Sequence, residues 1–243
     1  MWHTEQYLFF RLSVFASLEN NLELGSREIH IWSFALDGAD AQVDRLYDIL
    51  SADELKRAQK LKFERDRNRF VATRAALRSL LGKYLQQAPE QFAFSCGEHG
   101  KPQIPGIEFN VSHTEALAVF AFSINQPLGI DIEHGQRELD YQRLALRFFS
   151  SRENELLQET EIGIRKKAFL RLWTRKEALL KATGEGISRK LNQVDVSGSV
   201  CRIASLDQTQ ESAWSLYDID VGSDYVGALS AQGERHRLIH YHL

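Results

Sequence analysis

The chain has 243 residues, enough for one large domain or two small ones with a core that folds unaided. Its formal net charge of -3 excludes a globally basic nucleic-acid-binding protein, although a local basic face remains open. No apolar run approaches the roughly 20 residues of a membrane-spanning helix, and the first residues show no secretory signal. Two distant cysteines, Cys96 and Cys201, are typical of buried reduced thiols. We therefore expect a soluble, cytoplasmic protein.

The first half of the chain predicts a strand, a pair of helices and then further strands. Residues 29–36 alternate as a strand does. Ser51-Ala52-Asp53-Glu54 has the pattern of a capping box, which begins a helix. Helical periodicity continues over about residues 65–87, with a buried stripe of Phe70, Leu77, Leu80, Leu81 and Leu85. The remaining predicted elements are strands at 92–96, 109–113 and 116–124, with a turn at 97–102.

The second half predicts a similar series. Residues 128–133 form the next strand, and Ser150-Ser151-Arg152-Glu153 is a second capping-box pattern. A helix follows over about residues 164–182 and ends at a glycine cap within Thr183-Gly184-Glu185-Gly186. The last predicted strands are 214–220, 225–231 and 236–241.

The repeated order of elements predicts an α+β fold of two similar α/β halves in tandem, related by pseudo-two-fold symmetry. We place the halves at residues 1–125 and 126–243, with the join near Pro127. The repeat lies in the types of element and not in residue-by-residue identity. A cleft between two such halves is a natural place for a ligand.

Acidic side chains stand out in the strand after the join and in the second long helix. The period of two in the strand points Asp131 and Glu133 to one face. The spacing of four in the helix places Trp173, Glu177 and Lys181 on one stripe. Three carboxylates with a neighbouring lysine suit a hard cation such as Mg²⁺ bound beside a phosphate. A solvated strand face and an ordinary helix salt bridge are the alternatives left open by these residues alone.

Side chains that are able to bind phosphate occur in the first half. Ser112 and His113 lie at the end of a predicted strand, and Lys101 lies in the predicted turn. The turn lacks the glycine and serine or threonine pattern of a P-loop, so nucleotide binding by that route is not supported. Residues 56–78 are dense in cations, which suits either a solvated helix face or a surface for an acidic partner.

Taken together, these motifs resemble the 4′-phosphopantetheinyl transferase superfamily, specifically its pseudo-dimeric, surfactin-synthetase-activating type. The motifs occur in the family's order and with family-like spacing over roughly residues 50–190. The segments that carry the resemblance are Gly100-Lys101-Pro102, Phe109-Asn110-Val111-Ser112-His113, Gly129-Ile130-Asp131-Ile132-Glu133, Arg147-Phe148-Phe149-Ser150 and Trp173-Thr174-Arg175-Lys176-Glu177-Ala178-Leu179-Leu180-Lys181.

The resemblance implies transfer of phosphopantetheine from coenzyme A to a serine of an apo carrier protein, with release of 3′,5′-ADP. It implies Asp131, Glu133 and Glu177 as ligands of Mg²⁺, with Mn²⁺ as an alternative ion. Glu177 would also be the general base, acting directly or through a water, and Lys181 would hold the reacting phosphate. The implied catalytic residues are thus Glu177, Lys181 and Asp131. The implied coenzyme A contacts are Lys101, Ser112, His113, Arg74 and Lys181.

The resemblance also implies the partners: an apo acyl or peptidyl carrier protein, with no nucleic acid and no membrane, bound by a monomer. Carrier proteins are generally acidic, so a basic surface on residues 56–78 or on the helix from Ile164 could steer one. Phe148, Phe149 and Leu180 could contact the carrier, with core packing as the alternative. Which carrier is modified stays open.

Two other functions are compatible with the same residues. A Mg²⁺-dependent phosphodiesterase or nuclease would use the carboxylates, but it needs a basic channel with aromatic side chains for stacking. A carrier-protein binder without activity would keep the fold, but the presence of Asp131, Glu133, Glu177 and Lys181 argues against it. The transferase ranks ahead of both.

Overall fold

The structure is a computed structural model that describes residues 22–37, 43–97, 100–184, 191–204 and 211–243. Glu98 and His99 of the predicted turn, and Glu185 and Gly186 of the predicted helix end, lie outside these residues. None of the described helices is long and apolar enough to cross a membrane.

The first half contains β1 to β5 and α1 to α3. After β1 (Glu28–Ala35), the described residues form three α-helices, of which α3 is the longest. Their bounds are Val43–Leu46 for α1, Ala52–Gln59 for α2 and Glu64–Leu85 for α3. The strands that follow are β2 (Ser95–Cys96), β3 (Pro102–Gln103), β4 (Glu108–Thr114) and β5 (Leu117–Ser123).

The second half contains β6 to β10 and α4 to α6. It begins with β6 (Leu128–His134), and three helices follow. They are α4 (Tyr141–Phe148), α5 (Ser151–Glu159) and α6 (Ile162–Thr183). The last strands are β7 (Val200–Ala204), β8 (Glu211–Ile219), β9 (Tyr225–Gln232) and β10 (Arg237–His242). Strands and helices in both halves confirm the predicted α+β fold class.

The strands form two four-stranded sheets and a short ribbon. The order is β10-β1-β5-β4 in the first sheet and β6-β9-β8-β7 in the second, and β2 pairs with β3. All pairs are antiparallel except β1 with β10. The proposed boundary at residues 125–126 falls between β5 and β6, and β10 returns from the C-terminus to the first sheet.

Both predicted capping boxes are present at the starts of α2 and α5. The hydroxyl of Ser51 accepts the backbone N–H of Glu54, whose carboxylate accepts the backbone N–H of Ser51. Ser150 and Glu153 make the same reciprocal pair. Each box satisfies backbone donors that a helix N-terminus otherwise leaves unpaired. At the C-terminal end of α6, Gly184 adopts a φ of 70°, the left-handed conformation that favours glycine.

Strand alternation divides the apolar core into three clusters. In β1, Trp32 and Phe34 pack with α3, whereas Ile29 and Ile31 face the cluster shared by the two sheets. Leu128, Ile130 and Ile132 of β6 join that shared cluster. The third cluster lies around α4 to α6 and β8. The two halves therefore have separate helical cores and are joined through their sheets.

The structure corrects three expectations about local structure. The strand predicted at 92–96 is only Ser95–Cys96, because a 3-10 turn at Pro89–Gln91 precedes it and Phe92 enters the core. Helices α1 and α4 and strand β7 have no counterpart in the prediction. Cys201 is buried as expected, but Cys96 is exposed, and neither forms a disulfide within the described part of the chain.

Candidate active site

The site forms where α6 lies directly against β6. Gly129 makes this approach possible, because a methyl group there would overlap the backbone of Ala178 and Ala182. Asp131 and Glu133 lie on the same face of the strand as Gly129, and Glu177 and Lys181 lie on the facing stripe of the helix. The predicted one-face arrangement is confirmed, because these four side chains line one cavity.

The cavity has a volume of about 570 Å³ and opens between β4, β6 and α6. The first half contributes Ser112 and His113 from β4. The described residues that line it are Val111, Ser112, His113, Thr114, Glu115, Asp131, Ile132, Glu133, Arg137, Trp173, Glu177 and Lys181. Lys101 and Arg74, the other two predicted site residues, are not among them.

Two cations neutralise the carboxylates of β6. The ammonium of Lys181 donates to Oδ1 of Asp131 at 2.7 Å, and the hydroxyl of Ser112 donates to the same oxygen at 3.1 Å. Arg137 forms a short ion pair with Glu133. Among the described residues, no side chain donates a hydrogen bond to Glu177. The site is therefore a cluster of three acids with fewer close cations than carboxylates.

The pKa values of the three acids are all displaced upward. Burial raises the pKa of Asp131, although Lys181 opposes the shift. Burial also raises the pKa of Glu133, against the effect of Arg137. For Glu177, burial and then the charge of Asp131 raise the pKa. A carboxylate with a raised pKa is a stronger base than an ordinary one.

His113 lies at the rim of the cavity. It is open to solvent, yet the protein around its ring lowers its pKa, and the charges of Lys181 and Arg57 lower it further. The neutral ring can therefore donate or accept a hydrogen bond near pH 7.

Comparison with known proteins shows one family over both halves. Residues 127–230 match the sequence profile of the 4′-phosphopantetheinyl transferase superfamily. Residues 37–125 match that of the 4′-phosphopantetheinyl transferase N-terminal region. The 4′-phosphopantetheinyl transferase HetI of Nostoc sp. is 39% identical over 88% of this chain and 91% of its own. The chain belongs to the 4′-phosphopantetheinyl transferase superfamily.

Two further relatives agree with this assignment. The 4′-phosphopantetheinyl transferase gsp of Aneurinibacillus migulanus is 31% identical over 76% of this chain and 79% of its own. The 4′-phosphopantetheinyl transferase Sfp of Bacillus subtilis is 30% identical over 63% of this chain and 68% of its own. The resemblance inferred from the motifs is confirmed. This protein is a transferase that uses coenzyme A to modify carrier proteins.

The carboxylates of the transferase have the chemistry of a metal site. Among the described residues, no three His, Cys, Asp or Glu side chains are already arranged to hold a metal ion. Lys181 and Arg137 form ion pairs with Asp131 and Glu133. Oδ2 of Asp131 is nonetheless buried without a hydrogen-bond partner in the described part of the chain. Three hard oxygen donors and an unpaired buried oxygen fit a divalent cation.

Two residues predicted to contact coenzyme A bind other groups of the protein. The ammonium of Lys101 donates to the carbonyl oxygen of Leu128 at 2.9 Å. Arg74 forms an ion pair with Glu54 and lies over the ring of Phe94. Both residues stay predictions as coenzyme A contacts.

The basic surface predicted to bind a carrier protein has fewer available cations than the sequence indicates. Carboxylates of the fold bind many of them. Glu54 binds Arg74 and Arg78, Asp218 binds Arg171 and Arg175, and Glu153 binds Lys176. Phe149 and Leu180 are also removed from the candidate carrier contacts, since both are buried in the core; Phe148 is half-buried.

Sequence reasoning missed two functional candidates in the transferase. Arg137 lines the cavity and pairs with Glu133, four residues before it. A basic residue shortly after two acids was the available signal. Asn110 lies in a quoted motif, but its amide oxygen accepts the backbone N–H of Ile130, which only the packing of β4 beside β6 reveals.

Proposed function

We propose that the cavity between β4, β6 and α6 is the catalytic centre, with Asp131, Glu133 and Glu177 as ligands of Mg²⁺, or of Mn²⁺ as an alternative. The convergence of three carboxylates from two elements on one cavity supports this most directly. The unpaired Oδ2 of Asp131 supports it further. A divalent cation bound there would neutralise phosphate charge next to the reacting bond.

Coenzyme A would bind along the first-half wall of the cavity. Ser112 lines this wall, and His113 offers an imidazole at the rim, where the 3′-phosphate would lie. Lys181 and Arg137 present cations inside the same cavity and suit the pyrophosphate. Because β4 comes from the first half and α6 from the second, one chain supplies both walls, which supports a monomer.

The acceptor would be a serine of an apo acyl or peptidyl carrier protein. Its oxygen forms a bond to the phosphorus that carries pantetheine while the pyrophosphate P–O bond breaks, and 3′,5′-ADP leaves. Glu177 would accept the serine proton, directly or through a water, and its place in the cavity beside Asp131 and Lys181 supports this role. Lys181 would hold the phosphate under attack. We also propose that the enzyme acts in the cytoplasm and has no nucleic-acid or membrane partner.

The test is incubation of the protein with coenzyme A, Mg²⁺ and a panel of apo carrier proteins, followed by intact-mass measurement of each carrier. We expect a gain of one phosphopantetheine, lost with EDTA and with Asp131→Asn. Glu155→Gln removes an exposed carboxylate of α5 and should keep the activity. No gain on any carrier together with no binding of coenzyme A would contradict the proposal.

A further inference from the structure

Strand β6 is the edge strand of its sheet, and side chains bind its free edge. Among the strands of the described residues, it pairs with β9 alone, on one side. On the other side, the ammonium of Lys101 donates to the carbonyl of Leu128 at 2.9 Å. The N–H of Ile130 donates to Oδ1 of Asn110 at 2.9 Å. These two bonds satisfy backbone groups that a neighbouring strand would otherwise bind.

Two more bonds continue the series along the edge. Lys181 donates to the carbonyl of Ile130 at 3.1 Å, and the N–H of Ile132 donates to Oγ of Ser112 at 3.2 Å. Leu128, Ile130 and Ile132 alternate along β6, and side chains thus bind the backbone groups that they direct away from β9. Three of the four side chains, those of Lys101, Asn110 and Ser112, come from the first half.

This series determines where the acids of β6 lie. Asp131 lies between Ile130 and Ile132, the two residues whose N–H groups are anchored to β4, and Glu133 follows directly. A shift of the edge relative to β4 would therefore move both carboxylates relative to Ser112 and the rest of the cavity. Neither Lys101 nor Asn110 lines the cavity, and Asn110 is buried, with 8% of its surface exposed.

We propose that Lys101 and Asn110 are positioning residues, which hold the edge of β6 so that Asp131 and Glu133 are aligned for metal binding. This inference rests on the proposed roles of those two acids. It differs from the coenzyme A contact that the family resemblance implies for Lys101, because the ammonium acts here on the protein backbone. The two roles predict different kinetics.

The first test compares Lys101→Met with Lys101→Arg. Methionine keeps the length and removes the donor, whereas arginine keeps donors. For Lys101→Met we expect kcat to fall about 10-fold and the Mn²⁺ dissociation constant to rise about 10-fold, as for residues that orient metal ligands. KM for coenzyme A should stay within about twofold, since the cavity wall is intact. Lys101→Arg should recover part of both losses.

The second test uses Asn110→Leu and Asn110→Asp. Leucine removes the acceptor of the Ile130 N–H, and aspartate keeps one. Mn²⁺ binding can be measured by the loss of the free-ion electron paramagnetic resonance signal. It should weaken in Asn110→Leu and recover in part in Asn110→Asp. Gln126→Leu removes a side-chain bond to the backbone of Ser26 outside the cavity and should leave Mn²⁺ binding unchanged.

The following outcomes would overturn the inference. A raised KM for coenzyme A in Lys101→Met, with unchanged kcat and Mn²⁺ affinity, would make Lys101 a coenzyme A contact. Wild-type Mn²⁺ affinity in folded Asn110→Leu would remove Asn110 from a positioning role. If Asp131→Asn also binds Mn²⁺ normally, the proposed metal site itself is wrong. If Asp131→Asn loses Mn²⁺ while the other variants keep it, only the positioning role fails.

Discussion

The two long helices carry the same structural ion pair but different surroundings. Arg78 lies 14 residues after Glu64, where α3 begins, and Lys176 lies 14 residues after Ile162, where α6 begins. Each cation binds the glutamate of the preceding capping box, Arg78 to Glu54 and Lys176 to Glu153. The two halves therefore share a buried connection between their short and long helices.

The difference lies in the strand that each long helix faces. In the first half, β10 covers the outer edge of β1 with a backbone ladder. In the second half, side chains bind the corresponding edge of β6, and its acids face a cavity. One residue beyond the shared cation, α3 has Ser79 whereas α6 has Glu177. The two halves thus share a scaffold, and the acids that line the cavity occur in the half whose strand edge is bound by side chains.

The largest expected effect is the loss of activity on substitution of Glu177, compared with Ser79, its counterpart on α3. Glu177→Gln should lower kcat by about 10²–10⁴-fold, because the variant loses the proposed base and metal ligand. Ser79→Ala should keep wild-type activity. Initial rates of carrier modification measure both, and an active Glu177→Gln variant would contradict the role of Glu177.

The second-largest effect is a loss of stability when one of the two buried ion pairs is broken. Glu153 and Lys176 have 0% and 1% of their side chains exposed, so Glu153→Gln should lower the free energy of unfolding by about 3–5 kcal/mol. Glu54→Gln should have a cost of the same order, since it leaves the guanidinium of Arg78, with 0% of its side chain exposed, without its carboxylate. Chemical denaturation measures both changes.

A double variant provides the control for this pair. Glu153→Gln with Lys176→Met removes both charges and keeps an oxygen at position 153 that can accept the backbone N–H groups of Ser150 and Val196. No unpaired buried charge remains, and stability should recover most of the loss. If the double variant is as unstable as Glu153→Gln, packing and not charge explains the effect.

The third effect tests the close approach of α6 to β6. Gly129→Ala forces a methyl group against the backbone of α6 and should lower the free energy of unfolding by about 1–3 kcal/mol. Activity should fall as well, because Glu177 and Lys181 move away from Asp131. Gly163→Ala, at the exposed start of the same helix, should be neutral or slightly stabilising. Equal stability of the two variants would contradict the packing described.

The smallest effect is a pH dependence of stability in the first half. Burial alone would raise the pKa of Glu54, but Arg74, the Ser51 N–H and Arg78 together hold it below the ordinary value of 4.5. The folded state therefore gains stability above the unfolded pKa and loses it as pH falls through the folded one. Urea unfolding between about pH 5 and 3 should show a smaller advantage of the wild type over Glu54→Gln as pH falls. A constant difference would exclude this linkage.

Local patterns predicted much of this fold. The capping boxes of Ser51 and Ser150 are present because their reciprocal bonds need only neighbours three residues apart. The period of two likewise predicted the common face of Asp131 and Glu133. Short elements such as α1 and β7 escaped prediction, since a few residues carry too little periodicity.

The partners of charged residues could not be predicted from the sequence. Arg175 and Lys176 belong to a basic helix in the sequence, yet both bind carboxylates inside the fold. The bond from Lys101 to the carbonyl of Leu128 joins residues 27 positions apart. Such contacts depend on tertiary packing, which no local pattern contains.

The most direct test of the account is a crystal structure with coenzyme A and Mn²⁺, with the metal located by its anomalous scattering. We predict one strong peak among the carboxylates of Asp131, Glu133 and Glu177, next to the coenzyme A pyrophosphate. A metal bound at other residues, or coenzyme A bound outside this cavity, would contradict the account.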